Sequence, residues 1–194
     1  MAIKMPLRYR SSPDDDVEAN IEVIQREQDI YRRLGQCGGV VPCTGFSPAT
    51  IHLALMANGD LRSYLKTHRP PRSLQLSWFQ EMARALSRIH THSVIVADIA
   101  TRNFLLHTDL SVKFCDFTES TILALHTDME TVDDNGYSIH TDIGQLGVVI
   151  YEVVTGEQCG FDLFKDLPLD ATRAIWPRRE NLPRTADVWL GPII

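Results

Sequence analysis

Asp98, Asn103 and Asp116 lie in the stretch Ile95 to Glu119, I-V-A-D-I-A-T-R-N-F-L-L-H-T-D-L-S-V-K-F-C-D-F-T-E, with four residues between the first two and twelve between the last two. Within that longer interval, Phe104-Leu105-Leu106 and Val112-Lys113-Phe114 predict two short strands and hence a hairpin. Two carboxylates and an amide converging at the end of a hairpin offer hard oxygen ligands for magnesium and an acceptor for a hydroxyl proton, which is what phosphoryl transfer needs. Taken singly, an Asp or Asn in a loop is a turn former. The joint spacing is what carries the chemical reading.

The elements that must position these groups fit one domain. The 194 residues are 44% apolar and 23% charged, an ordinary globular balance with enough chain for a substantial core. A net charge of −6 without a basic stripe argues against a nucleic-acid binder, and Arg32-Arg33 and Arg178-Arg179 read as isolated, solvated pairs. Cys37, Cys43, Cys115 and Cys159 show no paired short spacing, and M-A-I-K-M-P-L-R lacks a signal-peptide core, so reduced thiols in a cytoplasmic protein are expected. The apolar run from Gly147 to Val154 is too short for a membrane span. His90-x-His92 has no carboxylate or cysteine cluster near it in sequence, which argues against a zinc site.

Residues 1–8 predict a strand, and the acids of Ser11-Ser12-Pro13-Asp14-Asp15-Asp16 are placed to cap a helix over Val17–Leu34, ending at Gly35. Strands follow at Val40–Phe46 and Thr50–Leu55, and Ala57-Asn58-Gly59-Asp60 breaks the pattern as a hinge would. Then come a short helix Leu61–Lys66, a loop Arg69–Arg72, and a periodic helix Leu76–His92 carrying Trp78, Met82, Ala85, Leu86 and Ile89. Composition makes Glu119–Ser138 a loop and Thr141–Thr155 a buried helix. Past Gly156, F-D-L-F-K-D-L-P-L-D and W-P-R-R-E-N-L-P-R read as loops with short helices, and D-V-W-L-G-P-I-I as the start of another apolar helix. No internal repeat is visible.

On these residues the chain resembles the eukaryotic protein kinase family, whose catalytic and metal-binding loops keep the same two intervals. Val96 and Ala97 stand where the family has His and Arg, and Thr118 where Asp-Phe-Gly has its Gly. The resemblance implies an α+β, bilobal protein kinase-like fold: a small incomplete β-sheet lobe over residues 1–56 and a mainly helical lobe over 57–194. It implies that Asp98 is the general base, Asn103 and Asp116 the magnesium ligands, and Lys4 the lysine that holds the ATP phosphates, with Glu27 as its partner. Leu53-Ala54-Leu55-Met56 matches the segment that meets adenine, with Leu53 as gatekeeper and Ala54, Met56 and Leu105 beside the nucleotide. Thr141–Glu152 resembles the family's central helix, so Asp142 should accept hydrogen bonds from the catalytic-loop backbone, and Tyr31, Phe117 and Val96 should stack as one apolar column. The sequence A-T-R-N is more like tyrosine kinases than serine/threonine kinases.

The same resemblance implies losses. The sequence starts at the strand that follows the family's glycine-rich loop, so a weaker hold on ATP is expected. There is no Ala-Pro-Glu between Asp116 and Asp142, and Ala97 cannot pair with a phosphate on Ser120, Thr121, Thr127 or Thr131. The family's last helices have no counterpart, so an exposed apolar patch is expected at Trp189 and Leu190. Three functions fit: an ATP- and Mg2+-dependent phosphotransferase acting on protein Ser/Thr or Tyr hydroxyls, a pseudokinase or interaction module with weak or no ATP binding, and a truncated product without independent function. The partners expected are ATP and a protein substrate or a regulatory partner, with no nucleic acid and no membrane.

Overall fold

The computed structural model of the chain describes residues 1–7, 13–160, 163–164, 168 and 171–192. Strand β1 (Ala2–Lys4), helix α1 (Asp14–Leu34), and strands β2 (Cys43–Ser47) and β3 (Thr50–Leu53) form the first layer. The sheet is antiparallel in the order β1-β3-β2, with Lys4 opposite Ile51 and Ala2 opposite Leu53. The predicted 1–8 strand is thus shorter, with residues 5–7 irregular and position 8 outside the described residues. Helix α1 starts before the expected Val17: Pro13 is its N-cap, without a side-chain hydrogen bond, and Asp14, Asp15 and Asp16 form its first turn. They act there through the helix dipole instead of as caps. Gln28 of α1 donates to the carbonyls of Ser47 and Thr50, fastening the helix to the β2–β3 turn. Arg33 is not merely solvated, since it donates to the carbonyls of His92 and Leu123.

The second layer holds α2 (Leu61–Thr67), α3 (Arg72–Thr91), β4 (Val94–Ile95), β5 (Phe104–Leu106), β6 (Val112–Phe114), β7 (Thr121–Ile122) and α4 (Ile139–Thr155). Asp60 caps α2 by accepting from the Ser63 N–H at 2.8 Å. Helix α3 begins at Arg72, because Pro71 supplies the fixed φ of an N-cap and the polar turn before Leu76 joins the helix. Trp78, Met82, Ala85 and Ile89 form its buried stripe, and the Trp78 indole N–H donates to the Leu110 carbonyl at 2.7 Å. The segment expected to be loop, Glu119–Ser138, contains β7, paired with β4 through Ile122–Val94 and Thr121–Ile95.

The β5–β6 hairpin is the expected one, and both flanks of it are occupied. On one side the Gly39 carbonyl accepts from Phe114 N–H, and the Phe114 carbonyl accepts from Val41 N–H. On the other, Asn58 N–H donates to the Leu106 carbonyl and Leu106 N–H to Gly59. Gly39 has φ +96°, and a Cβ there would lie 2.4 Å from the Ala85 Cβ of α3, so only glycine fits this crossing. Val40 and Val41 consequently pack in the core while the expected strand regularises only from Cys43.

The tail corrects the sequence reading. Residues 187–192 are turns, not the start of a helix: Leu190 lies at φ +64° and Gly191 N–H bonds back to the Val188 carbonyl. Trp189 and Leu190 are half-buried against the main core, with the Arg72 guanidinium 4.9 Å from the Trp189 ring centre, so no exposed patch forms at these two residues. Between Gly156 and Pro192 the described helical element is one 3-10 turn, Arg179–Asn181.

Helix α4 is capped reciprocally by Ser138 and Thr141 and stopped by Gly156 at φ +76°. Its Asp142 side chain is fully buried and accepts from Val96 N–H and Ala97 N–H, each at 2.9 Å. His90 Nε2 stands 2.8 Å from the same carboxylate. The histidine therefore has a carboxylate neighbour that its sequence surroundings did not reveal. Replacing Asp142 by Ala would orphan two buried N–H groups, and the expected cost is about 3 kcal/mol. The check is a thermal melt, with the midpoint falling by about 9 °C for a chain of this size.

Candidate functional site

The antiparallel register Phe104↔Phe114 places Asn103 opposite Cys115, whose N–H donates to the Asn103 carbonyl at 2.9 Å. Asp116, the next residue, is turned out of the strand at φ +65°. Hairpin geometry therefore delivers the amide and the second carboxylate to the same end. Asn103 Nδ2 reaches back to Asp98, 2.8 Å from its Oδ2 and 3.0 Å from its carbonyl. Asn103 thus touches Asp98, and Asp116 follows directly on the Cys115 that pairs with Asn103.

Two side chains on α4 hold the loop beneath Asp98. Asp142 takes the N–H groups before it, and Gln145 accepts from Ile99 N–H at 2.7 Å while donating to the Ala97 carbonyl at 2.8 Å. Ala97 sits at φ +66°, a conformation that costs a non-glycine residue about 1 kcal/mol and persists because these bonds over-determine it. Gln145 was legible in principle, since it lies one helical turn beyond Asp142. Arg102 was also missed: it grips both oxygens of Asp98 at 2.6 and 2.7 Å, four residues along the chain.

Lys4 reaches the hairpin from β1. Its Nζ lies 2.6 Å from Glu27 Oε2 and 2.8 Å from Asp116 Oδ1. Glu27 is fully buried, and its Oε1 accepts from Phe117 N–H at 3.0 Å. Burial disfavours the Lys4 ammonium, but the Glu27 charge and the hydrogen bond that Lys4 donates to Asp116 outweigh it and hold the pKa above its ordinary value. Burial also opposes ionisation of Asp116, and the hydrogen bonds from Lys4 and Thr118 reverse that, keeping the carboxyl below its usual range. The neighbouring Cys115 thiol is pushed up to about 12, first by burial and then by Asp116, so it stays protonated and unreactive. Phe117 packs edge-on against Tyr31 with ring centres 5.3 Å apart, and Val96 lies buried in the same core.

Leu53, Ala54, Met56 and Leu105 sit where β3 meets the turn to α2. Leu53 and Met56 are buried, Ala54 and Leu105 half-buried, and Ala54 N–H donates to the Pro42 carbonyl at 2.9 Å. Asp98 lines a recess of about 620 Å³ on the other side of the loop, together with Arg62, Arg102, Glu119, Tyr137 and Glu152. Tyr137 went unnoticed in the sequence; burial, then Glu119 and Asp98, raise its hydroxyl pKa. Lys4, Glu27 and Asp116 do not line that recess. Lys4 thus sits between two carboxylates, while Asp98 is paired with Arg102 and bonded to Asn103.

A family model described as protein tyrosine and serine/threonine kinase matches residues 2–187. The chain is 35% identical over 107 residues to serine/threonine-protein kinase LMTK3 of Mus musculus, covering 47% of this chain and 7% of that protein. It is 28% identical over 185 residues to tyrosine-protein kinase JAK3 of Rattus norvegicus, covering 82% and 16%. It is 30% identical over 147 residues to mitogen-activated protein kinase kinase kinase 12 of Rattus norvegicus, covering 69% and 16%. The chain thus spans less than a fifth of the length of these curated relatives.

The Lys4–Asp116 contact sets a pH dependence. Asp116 is depressed, so its contribution to stability is present above the unfolded carboxyl pKa of about 4 and is lost as pH falls through the lower folded value. Lys4 is raised, so its contribution is present below about pH 10 and is lost only as pH rises through the folded value. The difference in melting temperature between the wild type and Lys4→Met should be flat from about pH 5 to 9 and shrink in acid below that range.

Proposed function

Because the chain belongs to the protein tyrosine and serine/threonine kinase family, we propose that it is a protein kinase-like phosphotransferase moving the γ-phosphate of ATP to a protein hydroxyl. The observation that carries this reading is the convergence of Glu27 and Asp116 on Lys4, whose Nζ lies within 2.8 Å of a carboxylate oxygen of each, at the hairpin end near Asn103 and Asp98. In this reading Lys4 holds phosphate oxygens and Glu27 keeps the ammonium aimed and charged. Asp98 accepts the proton of the acceptor hydroxyl, from a substrate lying in the recess that Asp98 lines. Leu53, Ala54, Met56 and Leu105 surround the base, and residues 1–56 and 57–194 act as the two lobes.

Magnesium fits the donor set. Among the described residues no group of three or more His, Cys, Asp or Glu side chains could hold a metal, so a cation would have the Asn103 amide oxygen and the Asp116 carboxylate, completed by phosphate oxygens and water. Mg2+ tolerates that sparse protein ligation, and when bound it supplies neutralisation of phosphate charge. No described helix is long and apolar enough to cross a membrane, and the four cysteines are free. The thiols favour a reducing, cytoplasmic setting. Relatives named as serine/threonine and as tyrosine kinases both match, so the acceptor class is left as either hydroxyl.

A second reading is favoured by one observation: both oxygens of Asp98 are held by Arg102 at 2.6 and 2.7 Å, which occupies the proposed base. That arrangement suits a pseudokinase or interaction module with weak or no ATP binding. A melting experiment separates the readings. Mg-ATP should raise the midpoint of the wild type but not of Asp116→Asn, since stabilisation follows affinity for the folded state. Phosphate transfer should fall by about a hundredfold or more in Asp98→Asn without loss of that shift. A cooperative melt indifferent to Mg-ATP favours the module.

A further inference from the structure

Thr118 occupies the position where the family's motif has glycine, and the function proposed above gives it no task. Its hydroxyl donates to Asp116 Oδ1 at 2.6 Å and accepts from Lys4 Nζ at 3.1 Å. Its backbone N–H reaches the same Oδ1 at 3.2 Å, and Lys4 donates to it at 2.8 Å. Among the described residues, the hydrogen bonds to the Asp116 side chain all fall on this one oxygen. Glycine would supply only the N–H.

The consequence concerns the direction of the carboxylate. Asp116 projects from a backbone at φ +65°, and its side chain has two torsions left to choose an orientation. The Thr118 hydroxyl fixes both by tying Oδ1 to the lysine, closing a triangle of ammonium, hydroxyl and carboxylate. A divalent cation approaching Oδ1 would have to displace three donors and would meet the Lys4 charge at close range. Oδ2 is the oxygen still to be offered. The Glu27 contact holds Lys4 in place from the other side, at 2.6 Å, so the ammonium cannot simply swing away.

We propose that Thr118 is a positioning residue that latches Asp116 onto Lys4, so that Asp116 presents a single carboxylate oxygen to a divalent cation and binds it weakly until the latch opens. The inference rests on the reading of Asp116 as a cation ligand. A purely structural role for Thr118, closing the turn after β6, would leave cation affinity unchanged when the hydroxyl is removed.

The test titrates Mn2+ into the purified chain without nucleotide and counts the free ion by electron paramagnetic resonance. Thr118→Val keeps the branched shape and the N–H but loses the hydroxyl, and it should bind Mn2+ about tenfold more tightly than the wild type, the change that loss of about 1.4 kcal/mol of competing interaction brings. Thr118→Ser should match the wild type, and the gain should vanish in Thr118→Val combined with Asp116→Asn. Equal affinities in the wild type and Thr118→Val, or a gain that survives Asp116→Asn, overturn the latch. If Thr118→Val fails to melt cooperatively, Thr118→Gly carries the same comparison. Melts with Mg-ATP, run alongside, separate the two ideas. A Mn2+ gain with no stabilisation by Mg-ATP leaves the latch standing and removes the nucleotide reading; equal stabilisation with no Mn2+ gain does the reverse.

Discussion

A carboxylate with no access to water has to be met by donors, and Asp142 is met by three: His90 at the end of α3 and the N–H groups of Val96 and Ala97. Because these donors belong to different elements, one side chain joins α4, α3 and the loop before Asp98. The loop cannot satisfy its own backbone, since Ala97 at φ +66° interrupts any ladder. Gln145 completes the arrangement from the next turn of α4. Asp98 is aimed by this scaffold, and through Asn103 the aim is passed to the hairpin.

The hairpin converts that local order into a cluster of charge. Its antiparallel register puts Asn103 opposite Cys115, and the left-handed Asp116 turns its carboxylate toward β1, where Lys4 stands 2.8 Å away. Lys4 is positioned in turn by pairing with Ile51, and Glu27 by the packing of α1. A buried carboxylate beside a half-buried ammonium offsets part of the desolvation each suffers, so the two elements are drawn together by charge as well as by apolar contact. Phe117, whose N–H is held by Glu27 and whose ring lies against Tyr31, couples the same pair of elements.

The parts of the fold that were legible are those whose signal is local. The two strands of the hairpin, the stripe Trp78, Met82, Ala85, Ile89 and the glycine stop after Thr155 follow from period, strand propensity and backbone freedom. The short strand β7 was not legible, because two residues make a strand only by virtue of the partner they find in β4. The tail misled for the complementary reason: D-V-W-L carries an apolar rhythm, yet a Cβ at Gly191 would lie 1.9 Å from the Thr185 carbonyl oxygen, a closeness that belongs to a folded-back turn.

The sequence by itself determined which chemical groups are present near the site, Lys4, Glu27, Asp98, Asn103 and Asp116, and it determined the hairpin that brings Asn103 to Asp116, since strand register is a matter of counting residues. The tertiary structure decided what those groups touch. It gave Asp142 to His90, Glu27 to the Phe117 N–H, and one oxygen of Asp116 to Lys4. Side-chain partners separated by 52, 90 or 112 residues are chosen by how helices and sheets pack, and no local spacing encodes that choice.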